Sequence, residues 1–246
     1  MKTEPAQQQA ILIIGANSEI AKALATKFVT DKQYQLIVIT RNPVFYQHEK
    51  YDSVQIIQVE GYQECNIQAA VATLGNYKFG KIFICHGLLH GKNVTPEKRL
   101  EDFSAEHFAQ VVLVNTTIPM LWLKHLAVVV SGDIDCKIVF FSARVASISD
   151  NRLGGWYSYR SAKTALNMML KSAAVELNRR AKNIKLVAFH PGTTDSPLSK
   201  PFQQNVPKGK LFTSTFVAQQ LLNIVEALPL DGELSYLDWQ GKAIDW

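Results

Sequence analysis

Tyr159 and Lys163, four positions apart in the stretch GGWYSYRSAK, are a pair of residue types that can move a proton. On a helix, this spacing places both side chains on one face. An ammonium group beside a phenol favours the phenolate, which lowers the tyrosine pKa toward neutral pH and makes the side chain a usable acid or base. The same spacing recurs in YQHEK (46–50) and YKFGK (77–81), so position in the fold has to decide.

Short runs rich in valine and isoleucine recur along the chain, a pattern typical of strands buried on both faces. These runs lie at 10–14, 35–40, 53–59, 81–85, 137–142, 184–189 and 233–239. Helical patterns lie between most of them, at 18–30, 64–74, 104–130, 157–181 and 214–227. The alternation predicts an α/β fold with a doubly wound parallel sheet of the Rossmann type. No repeat or linker divides the chain, so we expect one domain over residues 1–246.

One long stretch, residues 190–210, is rich in proline and shows no clear periodicity. A loop of this length in a compact domain is usually functional, so we expect a substrate lid over about 193–212. Five residues are candidates to line a substrate pocket, with loop packing or dimer contacts as the alternative: Arg152, Trp156, Leu198, Phe202 and Val206.

The predicted sheet distinguishes between the three tyrosines, because ligands bind beyond the carboxyl ends of parallel strands. Tyr77 precedes the fourth strand and therefore lies at the wrong edge, and Tyr46 falls in a polar loop with no clear helix. Tyr159 opens the long helix after the fifth strand, where it forms a polar seam with Lys163 and Asn167. We therefore expect Tyr159 to be the proton-transferring residue.

Composition excludes several classes of function. The chain has 246 residues with 47% apolar and 19% charged residues, and its net charge of +5 is spread along the sequence with no nucleic-acid-binding module. Its three cysteines lie far apart, so no disulfide framework is expected. His86 and His90 lack the glutamate of a zinc-protease helix, and no metal site is expected. With no signal-peptide core and no apolar stretch of membrane-spanning length, we expect a cytoplasmic protein without membrane contact.

The first strand–helix turn, IIGANSEIAKAL, lies where this class of fold commonly holds a dinucleotide pyrophosphate. Gly15 permits the tight turn, and Ser18 is placed to cap the helix while neighbouring N–H groups face an anion. Arg41, after the second strand, is placed to pair with the 2′-phosphate of NADP, which favours NADP(H) over NAD(H). The alternatives are a strand–turn–helix without a ligand and a solvated arginine.

Pro119 carries a second signal inside the helix predicted at 104–130. Proline has no N–H, so the carbonyl of Asn115 loses its helical donor. A freed carbonyl next to an amide side chain can hold an ordered water, and the alternative is a simple proline kink.

Together these stretches resemble the short-chain dehydrogenase/reductase family over nearly the whole chain. The resemblance rests on the glycine turn, TRNP, CHG, VNTT, FFSARVASI, YSYRSAK and HPGTTDS in this order. The segment 142–163 is most similar to the branch of sniffer-type carbonyl reductases and bacterial C-factor-like proteins. The resemblance implies an NADP(H)-dependent oxidoreductase that transfers hydride between nicotinamide and a small carbonyl or alcohol substrate. The alternative is a dinucleotide-binding regulatory or signalling protein on the same fold, with little turnover.

Roles follow from the family motifs. Tyr159 would exchange a proton with the substrate oxygen, and Lys163 would hold the nicotinamide ribose and lower the pKa of Tyr159. Asn115 would anchor a water that links Lys163 to solvent, and Ser142 would supply a further hydroxyl. The other cofactor contacts would be Gly15, Asn17, Ser18, Glu19, Ile20, Arg41, Gly87, Pro191, Gly192, Thr194 and Ser196. The resemblance also implies a homodimer or homotetramer built through the helices at 104–130 and 157–181.

The chain departs from the family pattern at several positions. Glu19 and Ala21 replace two glycines of the turn, and a carboxylate at Glu19 would weaken pyrophosphate binding unless it turns away. Where the family has two serines after the fifth strand, this chain has Ser142 and Ala143, so the second hydroxyl is missing. Ser142 is the first candidate to replace it, and Ser147 is the second. We expect a slower enzyme if neither does.

Overall fold

The computed structural model describes residues 8–75 and 77–246. Seven of its strands form one parallel sheet and two short strands form a separate ribbon. In chain order the strands are β1 (Gln9–Ile14), β2 (Tyr34–Thr40), β3 (Gln55–Gln58), β4 (Lys78–Ile84), β5 (Cys136–Phe141), β6 (Ile184–His190), β7 (Thr193–Thr194), β8 (Leu211–Phe212) and β9 (Ser235–Asp238). The large sheet has the order β3-β2-β1-β4-β5-β6-β9. Successive strands are added on one side of β1 up to β3, and from β4 onward on its other side.

Helices cover both faces of this sheet, as predicted from the alternation of patterns. They are α1 (Glu19–Phe28), α2 (Glu64–Ala72), α3 (Ala105–Val112), α4 (Ile118–Val130), α5 (Tyr157–Arg180) and α6 (Ser214–Ala227). A π-helical turn, Leu113–Thr117, joins α3 to α4. The combined stretch Ala105–Val130 is long and apolar enough to cross a membrane by length and composition, and half of the window that qualifies is buried inside this fold.

The two faces of the sheet bury separate apolar cores. One face packs against α2, α4 and α5, with Trp122 fully buried at its centre. The other packs against α1 and α6, through residues such as Leu24 and Leu221. Both contacts hide the sheet from water, so the strands contribute polar groups to the surface mainly at their ends.

The segment predicted as an irregular lid is more ordered than expected. β7 and β8 pair in parallel at its two ends, and a 3₁₀ helix, Lys200–Asn205, lies between them. Pairing satisfies main-chain groups that a long irregular segment would leave without partners. Tyr46 also differs from its prediction, because it is buried in a 3₁₀ turn and its hydroxyl donates to the Ala16 carbonyl at 2.6 Å.

Candidate active site

Two adjoining clefts lie beyond the carboxyl ends of the central strands. One, of about 380 Å³, is bordered by Tyr159, Lys163 and Ser142. The other, of about 900 Å³, is bordered by Arg41, Thr40 and Tyr62. The clefts share five lining residues in the turns after β1 and β4: Asn17, Ser18, Cys85, His86 and Gly87. They therefore form one trough across the edge of the sheet, with a shape suited to an elongated ligand.

The turn between β1 and α1 requires a glycine at its first position. Gly15 has a φ of 71°, and a Cβ there would lie 3.1 Å from the Cys85 carbonyl oxygen. Its N–H and that of Ala16 both donate to the Ile39 carbonyl, which fixes the turn against β2. The Ser18 hydroxyl accepts from the N–H of Ala21, as predicted for a helix cap. The N-terminus of α1 is thereby presented to the trough, a suitable position for an anion.

Glu19 lies in this turn, and its side chain points along the helix to a cation. Its carboxylate pairs with the Lys22 ammonium at 2.9 Å. Glu19 and Ile20 line the smaller cleft, yet the charge of Glu19 is matched by a lysine on the next turn. The predicted conflict between this carboxylate and a pyrophosphate is therefore reduced.

Arg41 lies at the rim of the larger cleft, at the end of β2. Its guanidinium is 5.1 Å from the centre of the Tyr62 ring, an arrangement that favours a cation over the aromatic face. Tyr62 is held edge-on by His86, with ring centres 4.5 Å apart. Glu60 lines the same cleft. The stacked Arg41 presents a positive charge at a defined place on the rim.

Tyr159 and Lys163 lie side by side on the first two turns of α5, and both are buried. The Lys163 ammonium is 5.8 Å from the centre of the Tyr159 ring and donates to the Phe141 carbonyl at 2.7 Å. The backbone end of β5 therefore fixes the lysine beneath the tyrosine, and both side chains line the smaller cleft.

The protonation equilibria of this pair differ from the expectation drawn from spacing. Burial raises the pKa of Tyr159 above its ordinary value, and burial lowers the pKa of Lys163 to about 7. Spacing along the helix reflects charge attraction alone, whereas desolvation acts on both groups here and favours their neutral forms. A bound ligand with polar groups next to Lys163 would oppose that desolvation.

Asn115 is fully buried in the π-helical turn, four residues before Pro119. Its side chain holds the segment after β4, because Oδ1 accepts from the Leu88 N–H at 3.1 Å and Nδ2 donates to the Leu88 carbonyl at 2.7 Å. The neighbouring Thr116 hydroxyl donates to the Ala162 carbonyl at 2.7 Å, which ties this turn to α5. Single π-helical turns are frequent at functional sites, and this one lies beside the tyrosine helix.

The two serines considered for the missing hydroxyl and the alanine at the position that lacks it have different surroundings. Ser142 borders the smaller cleft, but its hydroxyl donates to Oδ1 of Asn167 at 2.7 Å, on α5. Ser147 does not border this cleft. Its hydroxyl contacts the Ser149 hydroxyl and accepts from the Asp150 N–H, both in the loop that follows. Ala143 packs in one apolar cluster with Tyr159. Like Ser147, Ala143 does not border the cleft, and of these three residues only Ser142 does.

The segment after β6 divides into residues at the trough and residues behind it. Pro191 and Ser196 line the smaller cleft, and Gly87 faces them from the turn after β4. Gly192 does not line it: its φ is 70° and a Cβ would lie 2.7 Å from the Phe212 ring. Its lack of a side chain thus serves packing. Thr194 is buried behind the cleft, with a hydroxyl that has no partner within the described residues.

Aromatic rings from three elements meet beside Tyr159. Trp156 precedes α5, Phe202 belongs to the lid and His90 follows β4; the Phe202 ring lies 5.0 Å from Trp156 and 5.7 Å from His90. Trp156 also contacts Tyr159 edge-on at 6.2 Å. Of the five residues predicted to line a pocket, Leu198 lines the cleft, while Arg152, Trp156, Phe202 and Val206 do not. No group of three metal-ligating side chains converges anywhere in residues 8–75 and 77–246.

The trough provides what a nicotinamide dinucleotide needs. A helix N-terminus and a glycine turn lie at its middle, an arginine at one rim, and a tyrosine–lysine pair at the other end. The Thr194 hydroxyl, which has no partner within the described residues, lies behind the end of the trough that holds the tyrosine–lysine pair. When bound, such a cofactor supplies or accepts a hydride.

Comparison with known proteins agrees with this geometry. The short chain dehydrogenase family matches residues 9–207, and the chain belongs to this family of oxidoreductases. A benzil reductase ((S)-benzoin forming) of Bacillus cereus is 22% identical over 241 residues, covering 88% of this chain and 93% of that protein. The C-signal protein of Myxococcus xanthus is 26% identical over 110 residues, covering 45% of this chain and 61% of that protein.

Solved structures show the same fold. A short-chain dehydrogenase/reductase from Burkholderia multivorans with bound NADP superposes with a TM-score of 0.82 at 23% identity, covering 97% of this chain and all of that one. The carbonyl reductase Sniffer of D. melanogaster superposes with a TM-score of 0.80 at 18% identity, covering 98% of this chain and all of that one.

The low pKa of Lys163 predicts a stability that depends on pH. The unfolded chain holds this proton up to about pH 10.5 and the folded chain only to about pH 7, so unfolding takes up a proton between these values. The contribution of Lys163 to the free energy of unfolding should therefore rise with pH across this window. Lys163→Met removes that contribution, so its stability relative to the unchanged protein should fall from pH 7 to pH 10. Urea unfolding at both pH values measures this difference, and a constant difference would contradict it.

Proposed function

We propose that this protein is an NADP(H)-dependent reductase of neutral, apolar carbonyl compounds, acting reversibly on the corresponding alcohols. The observation that carries the proposal is the placement of Tyr159 over Lys163 in a cleft that continues into the dinucleotide-shaped trough. Hydride added to the carbonyl carbon leaves a negative charge on the oxygen. The Tyr159 hydroxyl donates its proton there, and the products are the alcohol and the oxidised cofactor.

Lys163 supports this transfer in two ways. Its ammonium lies beneath the tyrosine ring and attracts the phenolate that forms when the proton leaves. A pKa of about 7 also allows its Nζ to release and regain a proton near neutral pH. The buried turn at Asn115 lies next to this pair and is the proposed anchor for a water that connects Nζ to solvent.

The lining of the smaller cleft suggests the substrate class. Within the described residues its charged members are Glu19, which pairs with Lys22, and Lys163, which donates to a backbone carbonyl. Among these lining residues no free cation is available to bind an acidic substrate. Leu88, Phe141 and Leu198 offer apolar surface instead, and the Phe202 ring, which is outside the lining, packs against His90, which belongs to it. Aryl ketones and diketones, including the benzil on which the Bacillus cereus relative acts, fit this environment.

Assembly and location also remain proposals. The exposed surfaces of α4 and α5 carry apolar side chains, among them Val128, Met168 and Val175. These are the helices expected to pair in a homodimer or homotetramer. The cysteines of the described residues are free thiols, as expected for the proposed cytoplasmic location.

Tyr159→Phe tests the proposed proton transfer. Without the hydroxyl, kcat for benzil or other neutral ketones should fall by roughly 10² to 10⁴. The affinity for NADPH, measured by fluorescence titration, should change less than about twofold, because the ring is retained. Tyr157→Phe, two residues earlier and partly exposed, is the matched control and should behave as the unchanged protein. Equal activity of the two variants would refute the role of Tyr159.

Arg41→Ala tests the cofactor preference. Loss of a charge-assisted contact with the 2′-phosphate should raise the Kd of NADPH by roughly 10- to 100-fold and leave that of NADH unchanged. Arg179→Ala, at an exposed position of α5, is the control for the lost positive charge. A similar Kd for both cofactors in the unchanged protein would show that Arg41 does not select NADPH.

Ala143→Ser tests whether the missing hydroxyl limits the rate. The new Oγ would lie in the cluster that contains Tyr159, next to Ser142 at the border of the smaller cleft, and is proposed to give the carbonyl oxygen a second donor. We expect kcat to rise about tenfold, since a single donor to a developing oxyanion contributes at least this much. Ala143→Cys adds similar volume with a weak donor and should bring no gain. A serine variant no faster than the cysteine variant would exclude this explanation.

A further inference from the structure

Glu97 is a buried acid that borders neither cleft of the trough. It lies between β4 and α3, and only 3% of its surface is exposed. None of the ion pairs in the described part of the chain includes it. A buried carboxyl group without a cation needs strong hydrogen-bond donors. The donors that meet Glu97 all come from the beginning of α5.

Three hydrogen bonds join Glu97 to this helix. Its Oε2 accepts from the Ser158 N–H at 3.2 Å, and its Oε1 accepts from the Ser158 hydroxyl. Its main-chain carbonyl accepts from the Trp156 N–H at 2.6 Å. The side chain and the backbone of Glu97 thus hold Trp156 and Ser158, the residues on either side of Tyr157. Ser158 immediately precedes Tyr159.

The beginning of α5 depends on such outside support. Trp156 occupies the N-cap position, where its side chain makes no capping bond. Its φ of 51° and ψ of 42° lie in the left-handed region, and Gly154 and Gly155 before it also have positive φ. A bulky residue keeps this conformation only where its surroundings impose it. Glu97 supplies the cap from a distant part of the chain, and a negative group at a helix N-terminus is favourable.

Tyr159 of the proposed active site and the Trp156 ring that packs edge-on against it both project from this supported start. Glu97, Ser158 and Tyr159 also border a common narrow cavity. A shift of the helix start would therefore move both the Trp156 ring and the proton donor.

We propose that Glu97 is a positioning residue that fixes Trp156 and Tyr159 by capping the catalytic helix from outside. This inference rests on the proposed role of Tyr159 in proton transfer. An acid suits the task because both of its oxygens accept, whereas the corresponding amide keeps the shape and offers one accepting oxygen.

Glu97→Gln is the test, with Glu101→Gln as the matched control, an exposed acid four residues further along. In Glu97→Gln we expect amide hydrogen exchange in residues 155–159 to become at least about tenfold faster. We expect kcat for a neutral ketone to fall by about tenfold or more, with the Kd of NADPH within about twofold, because Glu97 is outside both clefts. Glu101→Gln should match the unchanged protein in all three measurements.

Ser158→Ala links the effect to the proposed contact. If Glu97 acts through Ser158, the double variant Glu97→Gln/Ser158→Ala should lose little more kcat than Glu97→Gln alone. Fully additive losses would overturn the inference. Unchanged exchange at 155–159 in Glu97→Gln would overturn it as well, as would a parallel loss of NADPH affinity, which indicates a general structural role.

The exchange measurement also separates this inference from the function on which it rests. If the unchanged protein binds NADPH and reduces no neutral ketone, the proposed function fails. Exchange at residues 155–159 then still decides whether Glu97 holds the start of α5, independently of activity.

Discussion

Burial of the parallel sheet on both faces is the constraint on which the rest of the structure depends. Residues 10–14 of β1 are wholly inaccessible to water, and the strands beside it are nearly so. Main-chain polar groups in such a sheet are satisfied by neighbouring strands, so unsatisfied groups and polar side chains gather where strands end. Because all seven strands run in the same direction, the ends at Gly15, Arg41, His86 and Ser142 meet along one edge. The trough follows from this topology.

Much of this arrangement could be predicted from local sequence. Apolar runs and helical patterns indicate the elements, because strands that are buried on both faces consist mainly of apolar residues. Position relative to the sheet then separated Tyr159 from the other two tyrosines that precede a lysine. Tyr77 indeed lies at the opposite edge, where its hydroxyl donates to Gln55, and Tyr46 is enclosed in the core beside α1. The turn at Gly15 follows the carboxyl end of β1 and is indicated as a ligand site for the same reason.

Other features depend on contacts that no local pattern records. Glu97 meets Ser158 across 61 positions, and nothing near either residue indicates the pairing. The direction taken by the Ser142 hydroxyl depends on Asn167, a full 25 positions away. The packing of the Phe212 ring against Gly192 likewise has no local signal in the sequence. Burial raises the pKa of Tyr159, and the extent of burial is known only once the chain has folded.

The segment predicted as a lid has a construction that bears on how this fold diverges. Its two ends are bonded to each other, since Thr193 and Thr194 pair with Leu211 and Phe212, and the Asp195 N–H donates to the Phe212 carbonyl at 2.8 Å. The stretch between them is thus closed at its base, and it also contacts the body of the protein where Phe202 packs against Trp156 and His90. Insertions or exchanges away from these contacts can reshape the segment and leave intact the strand ends that border the trough. The segment and the strand ends can therefore diverge separately on this scaffold.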